Sequence, residues 1–118
     1  MKLKKIEQGD VVVIDLAGAV DIAQAPKLLD AITHEIDAEH RLIVVDMKGV
    51  RYMDSAGIGT LVDGLNRTAN QGGRLVLAHA NKKVRDLLSI TRLDTVFDMF
   101  ESRDDAIKEL ASKSLPKL

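Results

Sequence analysis

Two polar residues, Asp54 and Ser55, stand directly ahead of a helical apolar pattern and are followed by Ala56-Gly57-Ile58-Gly59-Thr60. Side chains of these types at a helix start have two uses. Either one can accept a backbone N–H bond as an N-cap, worth about 1 kcal/mol. A serine there can also carry a phosphate, because a helix N-terminus presents free N–H groups and partial positive charge. On these residues alone both uses stay open. The glycines lean toward a surface role, since each costs about 1 kcal/mol relative to alanine inside a helix. At about 100° per residue, Ala56, Gly59, Thr60 and Asp63 fall opposite the apolar stripe. Small outward residues let another backbone come close. Close packing against the protein's own strands is the competing account, and it suits Gly57 better than Gly59.

Other chemistries find less support. Ser55 lacks the G-x-S-x-G setting of a hydrolase nucleophile. Gly57-Ile58-Gly59 lacks the rest of a dinucleotide fingerprint, and no Walker-type phosphate loop is present. The absence of cysteine removes disulfides, thiolate metal sites and a cysteine nucleophile. His34, His40 and His79 show no metal-ligand spacing. His34, in a helical pattern, and His40, in a turn, are expected at the surface, while His79 ends a strand near the candidate site. Asp15 and Asp46 could pair for acid–base work, but no second catalytic group accompanies them, and satisfied strand positions are the simpler expectation.

Seventeen basic against eighteen acidic side chains leave a formal charge of −1 over 118 residues. That balance argues against a protein built to grip nucleic acid. One Tyr, two Phe and no Trp offer no stacking platform for bases. No run approaches the roughly 20 apolar residues of a membrane span, and residues 1–7 lack a signal-peptide core. A cytoplasmic protein of one domain, residues 1–118, is expected.

The elements that must position Ser55 alternate between two hydrophobic periods. Val11–Leu16, Leu42–Asp46 and Leu75–Ala78 are short, β-branched runs that suit strands buried on both faces. Val96-Phe97 suggests a last short strand. Residues 2–7, rich in lysine, suggest an edge strand joined to the Val11 run in a hairpin. Leu28, Leu29, Ile32 and Ile36 form one helical stripe, with Pro26 near its start. Ile58, Leu61, Val62, Leu65 and Ala69 form a second, ended by Gly72-Gly73. Asn81 can cap a third helix carrying Val84, Leu87 and Leu88. Ser102-Arg103-Asp104-Asp105 resembles a capping box for a fourth, with Ile107 and Leu110 inward. Residues 112–118 are expected to fray. The alternation predicts an α/β fold with a mixed, mostly parallel sheet, an N-terminal hairpin and about four helices. Sites in such sheets gather at the carboxyl ends of strands, so the loop expected after Asp46 is the first place to look.

Met53-Asp54-Ser55-Ala56-Gly57-Ile58-Gly59 resembles the M-D-S-(S/T)-G-(L/I)-G signature of bacterial anti-sigma factor antagonists, the small stand-alone STAS domains. The likeness extends upstream to Gly18-Ala19-Val20-Asp21 with Ala25 and Leu28. Downstream it takes in Gly72-Gly73 and Val84-Arg85-Asp86-Leu87-Leu88, covering about residues 10–108. Ala56 stands where the signature has a second hydroxyl residue, and Ala19 where the family has glutamate.

The resemblance implies a STAS-type fold and partner switching. Ser55 would be the phosphoacceptor, Asp54 its neighbour, and Asp21 the aspartate beside the site, with capping of the first helix as its structural alternative. Ala56, Gly57, Gly59, Thr60 and Asp63 would complete the docking face. The unmodified protein would bind an anti-sigma factor that is also a serine kinase, freeing a sigma factor. Phosphorylation of Ser55 would end binding until a PP2C-type phosphatase restored it. ATP and Mg²⁺ would belong to the kinase, leaving this chain a cofactor-free substrate and, when free, a monomer. The alternative is an accessory subunit of an ABC-type membrane transport complex, a role other STAS domains fill. An enzyme acting on a phosphate ester would need a general base, metal set or phosphate loop that the sequence lacks.

Overall fold

The computed structural model describes residues 1–113. The Val11 run opens β2 (Val11–Val20), where Val11, Val12, Val13, Ile14 and Leu16 are buried. β1 (Lys2–Gln8) pairs with it antiparallel across a tight turn in which Gly9 takes a φ of 60°. Lysines line this outer strand, a charge pattern that discourages edge-to-edge pairing. The remaining elements are α1 (Ala25–Asp37), β3 (Leu42–Met53), α2 (Ser55–Asn70), β4 (Arg74–Ala78), α3 (Lys82–Ile90), β5 (Met99–Phe100) and α4 (Arg103–Lys113). The five strands lie in the order β1-β2-β3-β4-β5, and all pairs after the first are parallel.

Both sheet faces are covered, which is why the strands read as continuous apolar runs. Leu28 and Ile32 of α1, Ile58 and Leu61 of α2, and Val84 and Leu88 of α3 pack on one face with Ile14, Ile43, Val45 and Leu77. Ala106, Ile107 and Leu110 of α4 pack on the other with Val11, Val13, Val44 and Val76. The Asn81 carboxamide caps α3 by accepting from Val84 N–H at 2.9 Å and donates to the Val50 carbonyl at 2.9 Å, tying α3 to β3. At the end of α2, Gly72 takes a φ of 76°, and a Cβ on Gly73 would lie 2.3 Å from the Arg41 carbonyl oxygen.

Several expectations need correction. No loop follows Asp46; β3 runs on to Met53. Its pairing with β2 slips by one residue between Asp15 and Ala17 and again between Gly18 and Ala19, so β3 carries two extra, bulged residues. The bulges break the alternation and make Met47–Met53 look irregular in sequence. The last strand is Met99–Phe100 rather than Val96-Phe97: the backbone turns at Leu93, whose carbonyl accepts from Val96 and Phe97, and Phe97 enters the core. The α2 stripe is rotated, with Gly57, Thr60, Gly64 and Thr68 buried and Ala69 exposed. Gly64 permits this, since a Cβ there would lie 2.8 Å from Ile32 Cδ1 of α1. Ser112 and Lys113 belong to α4, and the rest of the tail expected to fray lies outside the described residues.

His34 is exposed as expected, but His40 is half-buried. Its Nδ1 donates to Glu35 Oε1 at 2.8 Å, and its Nε2 lies 3.3 Å from Glu7. Lys5 Nζ reaches the same Glu35 oxygen at 3.0 Å. Burial pushes the Glu35 carboxyl up, but hydrogen bonds from His40 and Lys5 together with their charges carry it below the ordinary glutamate value. This cluster, at the foot of the sheet, was not foreseen in sequence.

Candidate functional site

β2 and β3 end side by side, with Val20 paired to Met53. A single residue, Asp54, separates β3 from α2. Its backbone is extended (φ −99°, ψ −175°), as an N-cap requires. Oδ1 accepts from Gly57 N–H at 3.0 Å, closing the first turn of α2. Oδ2 accepts from Ile22 N–H at 3.0 Å, in the connection between β2 and α1. The Asp54 N–H donates to the Val20 carbonyl at 3.3 Å. One residue, through its side chain and its backbone N–H, thus joins both strand ends to the start of α2.

Asp21 shapes the neighbouring turn. Its Oδ1 accepts from Ala23 and Gln24 N–H at 3.0 and 3.1 Å, and its carbonyl accepts from Gln24 and Ala25. The capping alternative therefore holds in modified form: Asp21 caps the turn that leads into α1, while Gln24 occupies the N-cap position without a side-chain bond. Asp21 and Asp54 flank the same corner, and both carboxylates are engaged by backbone amides.

Ser55 opens α2 and is exposed. Its hydroxyl has no hydrogen-bond partner among the described residues, so Asp54 serves as the cap and Ser55 is spared that task. A phosphate here would meet the positive end of a 16-residue helix. Gly57 is explained internally: a Cβ would lie 2.5 Å from the Val20 carbonyl oxygen and 2.7 Å from Met53 Cγ. Gly59 is exposed, and a Cβ there would meet nothing within 4 Å.

Ala56, Gly59, Thr60 and Asp63 line one wall of a shallow groove of about 450 Å³. Ile22, Ala25, Pro26, Leu29 and Asp30 form the other. Thr60 was expected to face outward; it is buried within the α2 wall, its hydroxyl donating to the Ala56 carbonyl at 3.0 Å. Asp63 is paired with Arg67 at 2.7 Å. Sequence reasoning missed Ile22, 75% exposed. The available signal was an apolar β-branched residue stranded between Asp21 and Pro26, outside either helical stripe.

The remaining candidates are occupied elsewhere. Asp46, buried on the α4 face, accepts from Arg103 Nε at 2.7 Å and from the bulged Lys48 N–H at 3.0 Å. Asp15 lies 3.2 Å from the same guanidinium. The hydrogen bond to Asp46 is the main influence raising the Arg103 pKa. The two carboxylates are thus satisfied groups, as expected. His79 adopts a φ of 58°, and its Nε2 accepts from Arg103 N–H at 3.3 Å at the start of α4. The described residues hold no group of three or more acidic, histidine or cysteine side chains arranged to bind a metal. No helix among them is long and apolar enough to cross a membrane.

The anti-sigma-B factor antagonist of Bacillus subtilis is 29% identical over 97 residues, covering 80% of this chain and 86% of the relative. The crystal structure of an anti-sigma factor antagonist from Mycobacterium paratuberculosis superposes with a TM-score of 0.85 at 22% identity, over 93% of each chain. The Bacillus cell fate determinant SpoIIAA in its phosphorylated form superposes with a TM-score of 0.74 at 20% identity, over 92% of this chain and 98% of that one. A STAS domain profile matches residues 2–106, from the edge strand into α4. With sequence and architecture in agreement over that span, the chain belongs to the STAS domain family.

Proposed function

We propose that this protein is an anti-sigma factor antagonist whose docking is switched by phosphorylation of Ser55. The observation that carries the reading is the exposed, unbonded Ser55 hydroxyl on a corner held rigid by Asp54. A visiting kinase can reach it without unfolding anything. The names of the relatives support the class of partner, an anti-sigma factor; in this reading that partner is also the serine kinase. ATP and Mg²⁺ belong to that kinase, and a PP2C-type phosphatase reverses the modification. Among the described residues no carboxylate or histidine hydrogen-bonds the Ser55 hydroxyl, which favours a substrate over a catalyst.

Phosphorylation adds about −1.5 to −2 charges. Burying that charge against a partner without a paired cation costs several kcal/mol. A loss of about 4 kcal/mol loosens binding roughly a thousandfold. Because Asp54 and Asp21 already fix the backbone, the switch acts by charge and contact, with little movement within this chain.

Pull-down followed by intact-mass measurement tests the reading. Wild type is expected to recover a histidine-kinase-like ATPase and to gain one phosphate on incubation with it and ATP. Ser55→Ala is expected to bind without gaining phosphate, and Ser55→Asp to bind weakly. Phosphate on Ser55→Ala would overturn the site, and recovery of an ABC-type ATPase instead would favour the transport-subunit reading.

A further inference from the structure

The groove beside Ser55 has a feature that the switch itself does not use. Among the described residues, four large apolar side chains are more than two-fifths exposed, namely Ile22, Tyr52, Ile90 and Val96. Of these, Ile22 alone lines the groove between α1 and α2. Its backbone is pinned: the Ile22 N–H is held by Asp54 Oδ2 at 3.0 Å, and the turn that follows is closed by Asp21 Oδ1. A side chain presented on a fixed backbone loses little freedom on binding, which favours an anchor. Gly59, on the opposite wall, leaves open space.

The far end of the groove is acidic, with Asp30 on α1 and Asp63 on α2. Arg67 answers Asp63, whereas Asp30 has no ion pair among the described residues. A partner that fills this groove therefore needs apolar surface at one end and a cation at the other.

We propose that Ile22 is the specificity anchor of the docking surface. The partner presents an apolar side chain to Ile22, with a Lys or Arg in the same segment directed at Asp30. This rests on the antagonist reading above and names the chemistry of its partner. The two ends are separable. Asp63 lies eight residues along α2 from Ser55, about 12 Å at 1.5 Å per residue. That exceeds the Debye length of roughly 8 Å at physiological ionic strength. A phosphate on Ser55 therefore acts at the apolar end, about two helical turns from the acidic one.

The experiment places the photo-crosslinker p-benzoylphenylalanine at position 22 and, separately, at position 90, which is equally exposed but remote from the groove. Adducts formed in cells are digested and the linked peptides sequenced. The expected adduct at position 22 is with a histidine-kinase-like ATPase, through an apolar segment that contains Lys or Arg. None is expected at position 90. With that ATPase purified, Ile22→Ala should weaken binding by roughly tenfold to a hundredfold. Ile22→Val should restore most of the affinity, and Asp30→Lys should weaken binding. Melting temperature should not change in Ile22→Ala, because the side chain is exposed. Binding of Ile22→Ala within twofold of wild type, or an adduct confined to position 90, overturns the anchor. If Ser55→Asp still releases the ATPase in that case, the antagonist reading survives; if wild type binds no such ATPase, both fall.

Discussion

Gly57 and Gly59 sit two residues apart in the first turns of α2 and answer to different constraints. The first is wedged against the Val20 carbonyl and Met53, while the second faces open space. Gly57→Ala is expected to destabilise the fold by about 1–3 kcal/mol, as overpacking does. Gly59→Ala is expected to leave stability unchanged or raise it by up to about 1 kcal/mol, yet to weaken capture of the proposed anti-sigma factor partner. Urea denaturation and a binding titration on the two variants check both halves. Much of this corner was legible in the sequence, because capping and helix glycines are local matters. An N-cap at Asp54 or Ser55 and the internal reason for Gly57 follow from residue type and spacing; that Asp54 takes the cap and leaves Ser55 free is settled by the structure. The second bond of Asp54 was not legible, since its partner Ile22 lies 32 residues away and meets it only when two strand ends align. Thr60 was misplaced because the packing of α1 against Gly64, not the apolar count, sets the rotation of α2.

α4 is joined to the sheet by more than its apolar side. Arg103, in its first turn, reaches Asp46 at 2.7 Å and Asp15 at 3.2 Å across the sheet face. Removing one partner of such a group leaves a buried charge unanswered. Arg103→Ala is therefore expected to cost about 3–5 kcal/mol, whereas Asp46→Asn with Arg103→Met should cost less than Arg103→Ala alone. Chemical denaturation of the single and double variants decides this. A double variant no more stable than the single would refute the account. The helices and the buried strands were readable from their periods. β5 was misplaced by three residues, because two residues of strand carry almost no periodic signal and Phe97 is apolar for the core's sake. The length of β3 was hidden because its bulges replace alternation with an irregular pattern.

Across the whole molecule, the two ends of the sheet differ in chemistry. The carboxyl ends of β2 and β3 carry the exposed serine and its groove, whereas the foot is fastened by Glu35, Lys5 and His40. The folded-state pKa of Glu35 is lowered, so its contribution is fully present above the ordinary glutamate value of about 4.3. That contribution is lost as pH falls through the lower folded value. Glu35→Gln should cost about 1.5–3 kcal/mol at pH 7 and flatten the acid limb of melting temperature against pH. An acid limb as steep as that of wild type would show that Glu35 does not govern it.

Strand order repeats chain order throughout the sheet, so during synthesis each strand joins at one advancing edge. The cation that neutralises Asp46 comes 57 residues after it. Until Arg103 has been made, Asp46 lacks this cation, so the α4 face of the sheet cannot be closed over it. Completion of the fold is thereby tied to translation of nearly the whole domain.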